Sequence, residues 1–379
     1  MSQIIGLYVH VPFCVRRCPY CAFYSLEGAS RIRMEDYPRL ILAELELRVQ
    51  DWRGSLLGSI YLGGGTPSLL SPEAVRQIVS SIRIHFESVS DIEITLEANP
   101  GTLTQHSLAE YLQAGVNRLS LGIQALDDER LTFLGRIHTR KEALEALQLV
   151  RAAGFPEFSV DLMFGTPLET LASWDREFGE LLTTRPDGIS FYSLTVEEGT
   201  HLGSRAHRGE RVALDQDETV DLMLHAAQIL GQAGYRHYEV SNWALPGAEC
   251  RHNIHYWQRG SYLGLGPSAH SFCGESRNWN LPDLKAYAEA LNASKMPPSE
   301  SELLSAEEIR SEWVYLQLRQ DAGLDLAQYS ELFADPPPYW RTMLESIAAR
   351  GLGEFDGAQF RPNDKGLLLA DELAARLLG

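Results

Sequence analysis

The sequence predicts an α/β fold: six βα units forming a parallel sheet, open or curled into a barrel, followed by a small helical module. Three observations carry this. Short apolar strands alternate with amphipathic helical patterns over the first two thirds of the chain. Three helical patterns end in the same Ala-Gly joint shortly before a strand, and beyond residue 305 the pattern turns mainly helical. At 379 residues the chain exceeds one ordinary compact core, and a barrel-type domain with an appendage suits that length.

The strands are expected at residues 5–9, 60–62, 92–96, 118–122, 159–163 and 189–194. Between them one helix runs from about 34 to 52, and another opens at Ser71-Pro72, an N-cap serine followed by proline in the first turn. Further helices start near Thr104, Thr139 and Asp217. The joints Ala114-Gly115, Ala153-Gly154 and Ala233-Gly234 fit helix ends, because glycine takes the left-handed conformation at no steric cost. Residues 292–305, polar with prolines, read as a linker. Helices follow at 307–319, 326–333 and 339–349, then a hairpin at 355–360 about an Asp-Gly turn and a last helix at 367–378. The expected organisation is therefore a βα domain, open or barrel-like, over 1–240, an extension over 241–291, a linker over 292–305 and a winged-helix-like domain over 306–379.

Composition excludes several classes. With 33 basic and 51 acidic residues the net charge is −18, which disfavours nucleic acid as a partner. Residues 300–379 hold seven basic against fifteen acidic residues, so the winged-helix-like order is read as a packing module. Five cysteines, three of them within eight residues, do not form a secreted disulfide scaffold. No signal peptide and no apolar run near ~20 residues is evident, so a cytoplasmic location without a transmembrane segment is expected, with peripheral membrane contact left open.

The most informative run follows the first strand: Cys14-Val-Arg-Arg-Cys18-Pro-Tyr-Cys21. Three thiolates at this spacing can wrap one face of an iron–sulfur cube and leave one iron open. A zinc site would need a fourth ligand, with His10 the candidate, and redox thiols would favour a plain CxxC pair. Downstream, Gly63-Gly-Gly-Thr-Pro67 follows the second strand without the Lys of a phosphate loop. Glu97, in Glu-Ala-Asn-Pro, and Gln124 end strands, while Asp161 lies inside an apolar strand, where a charge needs a partner. Arg136 is the natural candidate for that partner.

The Cys-x3-Cys-x2-Cys run with an aromatic residue before the last cysteine resembles the radical S-adenosylmethionine superfamily. The resemblance implies a partial βα barrel and a 4Fe–4S cluster held by Cys14, Cys18 and Cys21. It also implies S-adenosylmethionine chelated at the open iron. The whole chain is similar to the oxygen-independent coproporphyrinogen III oxidase branch. Position by position, Tyr8, Gly64, Gly65, Thr66, Glu97, Gln124, Arg136 and Asp161 match that branch's S-adenosylmethionine contacts. Tyr20 matches a residue near its second S-adenosylmethionine. Two departures stand out: Phe23 occupies the position of a further cysteine, and the segment before the first strand is short. Both resemble the haem chaperone group related to that oxidase, as does His252-Asn-Ile-His-Tyr-Trp257. A histidine with large amphipathic rings suits haem, although the same residues can cap a turn and pack a core. The resemblance implies haem as a third cofactor, with His252 among its contacts, and haem-requiring acceptor proteins, respiratory ones included, as partners. It implies no coproporphyrinogen oxidase activity, and the protein would be a monomer or homodimer. The alternatives are the oxidase itself and a zinc-containing structural or interaction module. Gly264-Leu-Gly-Pro-Ser-Ala269 matches a dinucleotide fingerprint in letters only, and His270 and Cys273 could touch a porphyrin, although residues of these types are more often ordinary packing.

Overall fold

The computed structural model describes residues 3–28 and 31–379. Six parallel strands follow one another in chain order: β1 (Ile4–Val11), β2 (Leu56–Gly64), β3 (Glu87–Ala98), β4 (Arg118–Gln124), β5 (Glu157–Phe164) and β6 (Gly188–Ser193). Each overlaps a strand expected from the sequence. The crossovers are helical: α1 (Arg31–Arg48), α2 (Pro72–His85), α3 (Gln105–Gln113), α4 (Asp128–Phe133), α5 (Arg140–Ala153) and α6 (Leu171–Leu181). After β6 come α7 (His201–His207) and α8 (Gln216–Gln232). Ser71 caps α2 by accepting from the Ala74 N–H, with Pro72 in the first turn. Thr104 and Thr139 close capping boxes on α3 and α5. All three Ala-Gly joints end helices, with φ of 95°, 75° and 90° at Gly115, Gly154 and Gly234.

The strands alternate. Apolar residues such as Leu7, Ile60, Leu96, Leu121, Val160 and Ile189 are buried in one continuous core with the helices. The intervening positions are polar or small: Tyr8, Tyr61, Glu97, Ser120, Asp161 and Ser190. Of the second set, Tyr61, Glu97 and Asp161 line the cavity of the site.

The sheet extends beyond the six units. On one side β7 (Arg236–Glu239) and β8 (Asn242–Ala244) form an antiparallel pair, with β8 against β6. The chain then crosses through α9 (Arg251–Trp257) to β9 (Tyr262–Leu265), which lies parallel to β1 on the other side. Antiparallel strands β10 (His270–Cys273), β11 (Ser276–Asn280) and β12 (Ser299–Leu303) complete twelve strands in the order β12-β11-β10-β9-β1-β2-β3-β4-β5-β6-β8-β7. The two ends stay apart, so the barrel is partial. Helix α10 (Leu284–Asn292) lies between β11 and β12.

Part of the segment expected as linker is therefore a strand: β12 pairs with β11 along its whole length. Its Ser-Glu-Ser-Glu pattern hides this, because an edge strand exposed throughout needs no apolar face, and its charges discourage further pairing. The glycines of the 264–269 run serve close backbone approach. A Cβ at Gly266 (φ 102°) would meet His10 O at 2.6 Å and the Tyr37 hydroxyl at 2.7 Å.

The C-terminal region carries α11 (Ala306–Leu318), β13 (Leu324–Asp325), α12 (Leu326–Leu332), α13 (Tyr339–Ala349), β14 (Gly353–Phe355) and β15 (Gln359–Pro362). It ends in α14 (Asp364–Leu368) and α15 (Ala370–Leu378), two helices where one was expected. Its own core includes Trp313, Leu344, Phe360 and Leu377. Backbone bonds Val240 N–H to Arg319 O (3.0 Å) and Asp321 N–H to Tyr238 O (3.1 Å) dock it on β7. The Gln317 and Gln320 side-chain amides donate to Trp257 O at 3.4 and 3.2 Å.

Candidate functional site

The site lies at the C-terminal ends of the parallel strands, where βα folds gather their loops. The cysteine loop leaves β1 there and is anchored by a short parallel pairing of Phe13-Cys14 with Leu26-Glu27. Cys14, Cys18 and Cys21 are free thiols, each half-buried. The Cys21 N–H donates to Cys18 O at 3.1 Å, closing a tight turn between them. Gly65 passes beneath: a Cβ there would meet Phe13 O at 2.7 Å, Val11 O at 2.8 Å and Cys14 Sγ at 3.1 Å. Thr66 Oγ1 donates to Cys14 Sγ (3.7 Å) and Arg136 Nη1 to Cys18 Sγ (3.5 Å). Burial pushes the Cys14 and Cys21 thiols up, so a bound cation would stabilise their thiolates.

His10 is committed elsewhere. Its Nδ1 bonds the Tyr8 hydroxyl (3.0 Å) and its Nε2 bonds Tyr24 O (2.8 Å), which leaves no ring nitrogen for zinc. Among the described residues, no three of His, Cys, Asp and Glu are grouped to hold a single metal ion. A four-iron cluster gives each thiolate its own iron and needs no such convergence.

Beside the cysteines opens a cavity of about 490 Å³. Its walls bring together all three cysteines, Tyr20, Gly64, Gly65, Thr66, Glu97, Gln124, Arg136 and Asp161. Glu97 is held from two sides, by the Tyr61 hydroxyl on Oε1 (2.9 Å) and the Gly64 N–H on Oε2 (3.0 Å). Each oxygen keeps a lone pair for a ligand hydroxyl. Burial, then the nearby Asp161 carboxylate, push the Glu97 carboxyl up to about 7. Gln124 takes a left-handed backbone (φ 65°) at the cavity wall. Arg136 Nη2 donates to Gly122 O at 2.7 Å and to Asn99 Oδ1, while its buried Nε has no partner. Phe23, 68% exposed, stands at the mouth, and the exposed Val15 and Ile137 line a neighbouring pocket that shares Cys18 and Arg136 with the cavity.

The arrangement suits the cofactors the motif implies. Three accessible thiols are the right donor set for a cluster, and the orphaned Arg136 Nε with two acceptor carboxylates suits a zwitterion bearing a ribose. When bound, the cluster would supply an electron to S-adenosylmethionine at its open iron.

Three sequence expectations meet a different geometry. Asp161 is not paired with Arg136: Ser120 Oγ donates to its two oxygens at 2.9 and 3.1 Å. The Arg136 guanidinium turns instead toward Asn99, the Gly122 carbonyl and Cys18. Tyr8 is not among the residues lining the cavity; its ring lies 6.3 Å from that of Tyr61, which does line it. His252 is also away from the cavity and only 1% exposed. Its Nδ1 bonds Ser59 Oγ (2.7 Å) and its Nε2 bonds the Tyr256 hydroxyl (2.8 Å), so in this arrangement the ring has no lone pair free for iron. Burial holds it neutral, its pKa lowered to about 3.

Sequence reasoning missed Tyr61, Asn99 and Tyr192, all of which line the cavity. Asn99 had a signal: it follows Glu97 by two residues and so shares its side of the strand end. Tyr61 sits at the middle of an expected strand as its one polar residue, the same signal that marked Asp161.

Comparison with known proteins places this geometry. Residues 8–178 match the radical SAM superfamily and residues 304–369 the HemN C-terminal domain. The haem chaperone HemW of Mycobacterium tuberculosis is 36% identical over 386 residues, covering 100% of this chain and 96% of that protein. The chain belongs to the HemW family of radical SAM proteins. HemW of Escherichia coli K12 is 39% identical over 266 residues, covering 70% of this chain and 69% of that protein. Among solved structures, the radical SAM enzyme coproporphyrinogen III oxidase (HemN) of Escherichia coli superposes with a TM-score of 0.84 at 22% identity. That match covers 99% of this chain and 90% of that one, and it bears on fold alone. HemW membership and the HemN likeness agree with the α/β barrel and the C-terminal helical region. No helix among the described residues is long and apolar enough to cross a membrane.

Proposed function

We propose that this protein is a haem chaperone that holds a 4Fe–4S cluster on Cys14, Cys18 and Cys21. S-adenosylmethionine lies in the adjoining cavity, and haem passes to haem-requiring acceptor proteins in the cytoplasm, respiratory ones included. The observation that carries the cofactor part is the cavity itself, which unites the three free thiols with Gly64, Gly65, Thr66, Glu97, Gln124, Arg136 and Asp161. Tyr20, on the same wall, lies close enough to Cys18 and Arg136 to interact with both. The haem part is supported by the HemW relatives and by Phe23, an apolar side chain at the cavity mouth where the oxidase branch carries a further cysteine. His252, the haem contact implied by the sequence, would have to leave two hydrogen bonds and a buried pocket to reach iron. Haem binding is therefore proposed for the protein rather than for that ring in its present position.

The test is anaerobic reconstitution followed by haem titration. The proposal expects about four irons and four sulfides per chain, together with a saturable Soret shift on adding haem. Stoichiometric zinc in place of iron would support the structural module. Turnover of coproporphyrinogen III without specific haem binding would support the oxidase.

A further inference from the structure

Helix α9, which begins with His252 at its second residue, is built into the floor of the barrel. Glu93 on β3 caps it: Oε2 accepts from the Arg251 N–H (2.9 Å) and Oε1 from the His252 N–H (3.0 Å). Gly6 on β1 makes room, since a Cβ there would lie 3.3 Å from His252 Cε1. Inside the barrel the imidazole lies against Tyr61, with centroids 5.1 Å apart and planes at 26°. Ser59 and Tyr256 hold its two nitrogens. The Tyr61 ring lies between His252 and Tyr8, whose ring is 6.3 Å away with planes at 28°. The Tyr61 hydroxyl donates to Glu97 Oε1, and Glu97 Oε2 in turn accepts from the Gly64 N–H at the cavity wall.

We infer that His252 is a positioning residue for the S-adenosylmethionine site, acting through the Tyr61 ring on Glu97. The inference rests on the reading that the cavity binds S-adenosylmethionine. It assigns the family's His-Asn-x-x-Tyr-Trp segment a task on the cofactor side of the barrel. Removing the imidazole leaves a void beside Tyr61, and the hydroxyl loses its aim at Glu97 without any change at the cysteines.

The experiment uses reconstituted full-length protein with iron content measured for every sample. S-adenosylmethionine affinity is read by calorimetry and by the change the cofactor produces in the electron paramagnetic resonance spectrum of the reduced cluster. His252→Ala is expected to weaken binding about tenfold with iron unchanged, and Tyr61→Phe by a similar factor. The double variant is expected to lose little beyond either single one, because both break the same chain of contacts. Should His252→Ala fail to load its cluster, Ser59→Ala, which releases only Nδ1, replaces it in the same cycle. Unchanged affinity in the His252 or Ser59 variant overturns the inference, as does a double variant whose loss is the product of the single losses. So does a His252→Ala protein that keeps its affinity but loses the haem Soret shift. A wild-type protein that binds no S-adenosylmethionine removes the underlying reading instead, and that is seen before any variant is made.

Discussion

The Tyr61 hydroxyl donates to Glu97 Oε1 at 2.9 Å, tying the second strand of the barrel to the third at the cavity wall. Glu97 carries the titration that matters most there, because burial and Asp161 raise its carboxyl to about 7. The ionised carboxylate is the stronger acceptor for a ribose hydroxyl. S-adenosylmethionine binding should therefore tighten as pH rises from 6 to 8, and Glu97→Gln should flatten that dependence and bind about tenfold more weakly at pH 8. Stability runs the opposite way. A carboxyl raised from 4.5 to about 7 stays protonated in the fold after it ionises in the unfolded chain, so stability is lost as pH rises through that window. Glu97→Gln should lessen this loss in thermal unfolding of the cofactor-free protein, the remainder coming from Glu239, whose buried carboxyl is also pushed up to about 7.

The five cysteines should divide three to two. Cys250 is buried, bonds Glu93 Oε1 through Sγ at 3.5 Å, and has its thiol pushed up to about 12, so it is inert. Cys273 is exposed on β10, away from the cavity. Serine at Cys14, Cys18 or Cys21 should abolish iron binding, whereas alanine at Cys250 or Cys273 should leave the iron and sulfide content at the wild-type level.

Gly65→Ala should act like a cysteine substitution without touching a cysteine. The new methyl group would press on two backbone carbonyls, Phe13 O of the cysteine loop at 2.7 Å and Val11 O at the end of β1 at 2.8 Å, and backbone yields less readily than a flexible side chain. Low iron content with a normal far-ultraviolet circular dichroism spectrum is the expected outcome.

Glu44→Ala tests the scaffold. Glu44 is wholly buried and accepts from Arg48 Nε (2.8 Å), Asn280 Nδ2 (2.7 Å), Gly266 N (2.8 Å) and the Tyr287 hydroxyl (2.6 Å). These bonds join α1 to α10 and to the β9–β11 extension. Truncation leaves the Arg48 guanidinium buried without its counter-charge, a change that costs about 3–5 kcal/mol. The urea midpoint should fall accordingly.

Much of this architecture is legible in the chain, because the six strands print their two faces as alternating apolar and polar letters. Ser159-Val-Asp-Leu-Met163 reads as a strand with one polar side, and Asp161 does face the cavity. The cysteine spacing and the Gly63–Thr66 run are local signals that need no tertiary information. Pairings between distant segments are another matter. Nothing near Asp161 distinguishes Ser120 from Arg136 as its partner, and the strand register decides it: Gly122 opposes Asp161 and leaves a carbonyl for the guanidinium instead. For His252 the letters fit an exposed ligand and a buried wedge equally well. Its partners, Ser59 and Glu93, lie more than 150 residues away. Strand β12 escaped notice because an exposed edge needs no apolar side.

The most direct test of the whole account is haem transfer. The reconstituted protein is loaded with haem, freed of excess, and mixed anaerobically with the haem-free form of a haem-requiring respiratory protein, while the Soret band of each partner is followed. The account predicts that the acceptor gains haem faster than from an equal concentration of free haem, and that coproporphyrinogen III added in parallel remains unconverted. Transfer no faster than from free haem, with coproporphyrinogen III consumed, would contradict it.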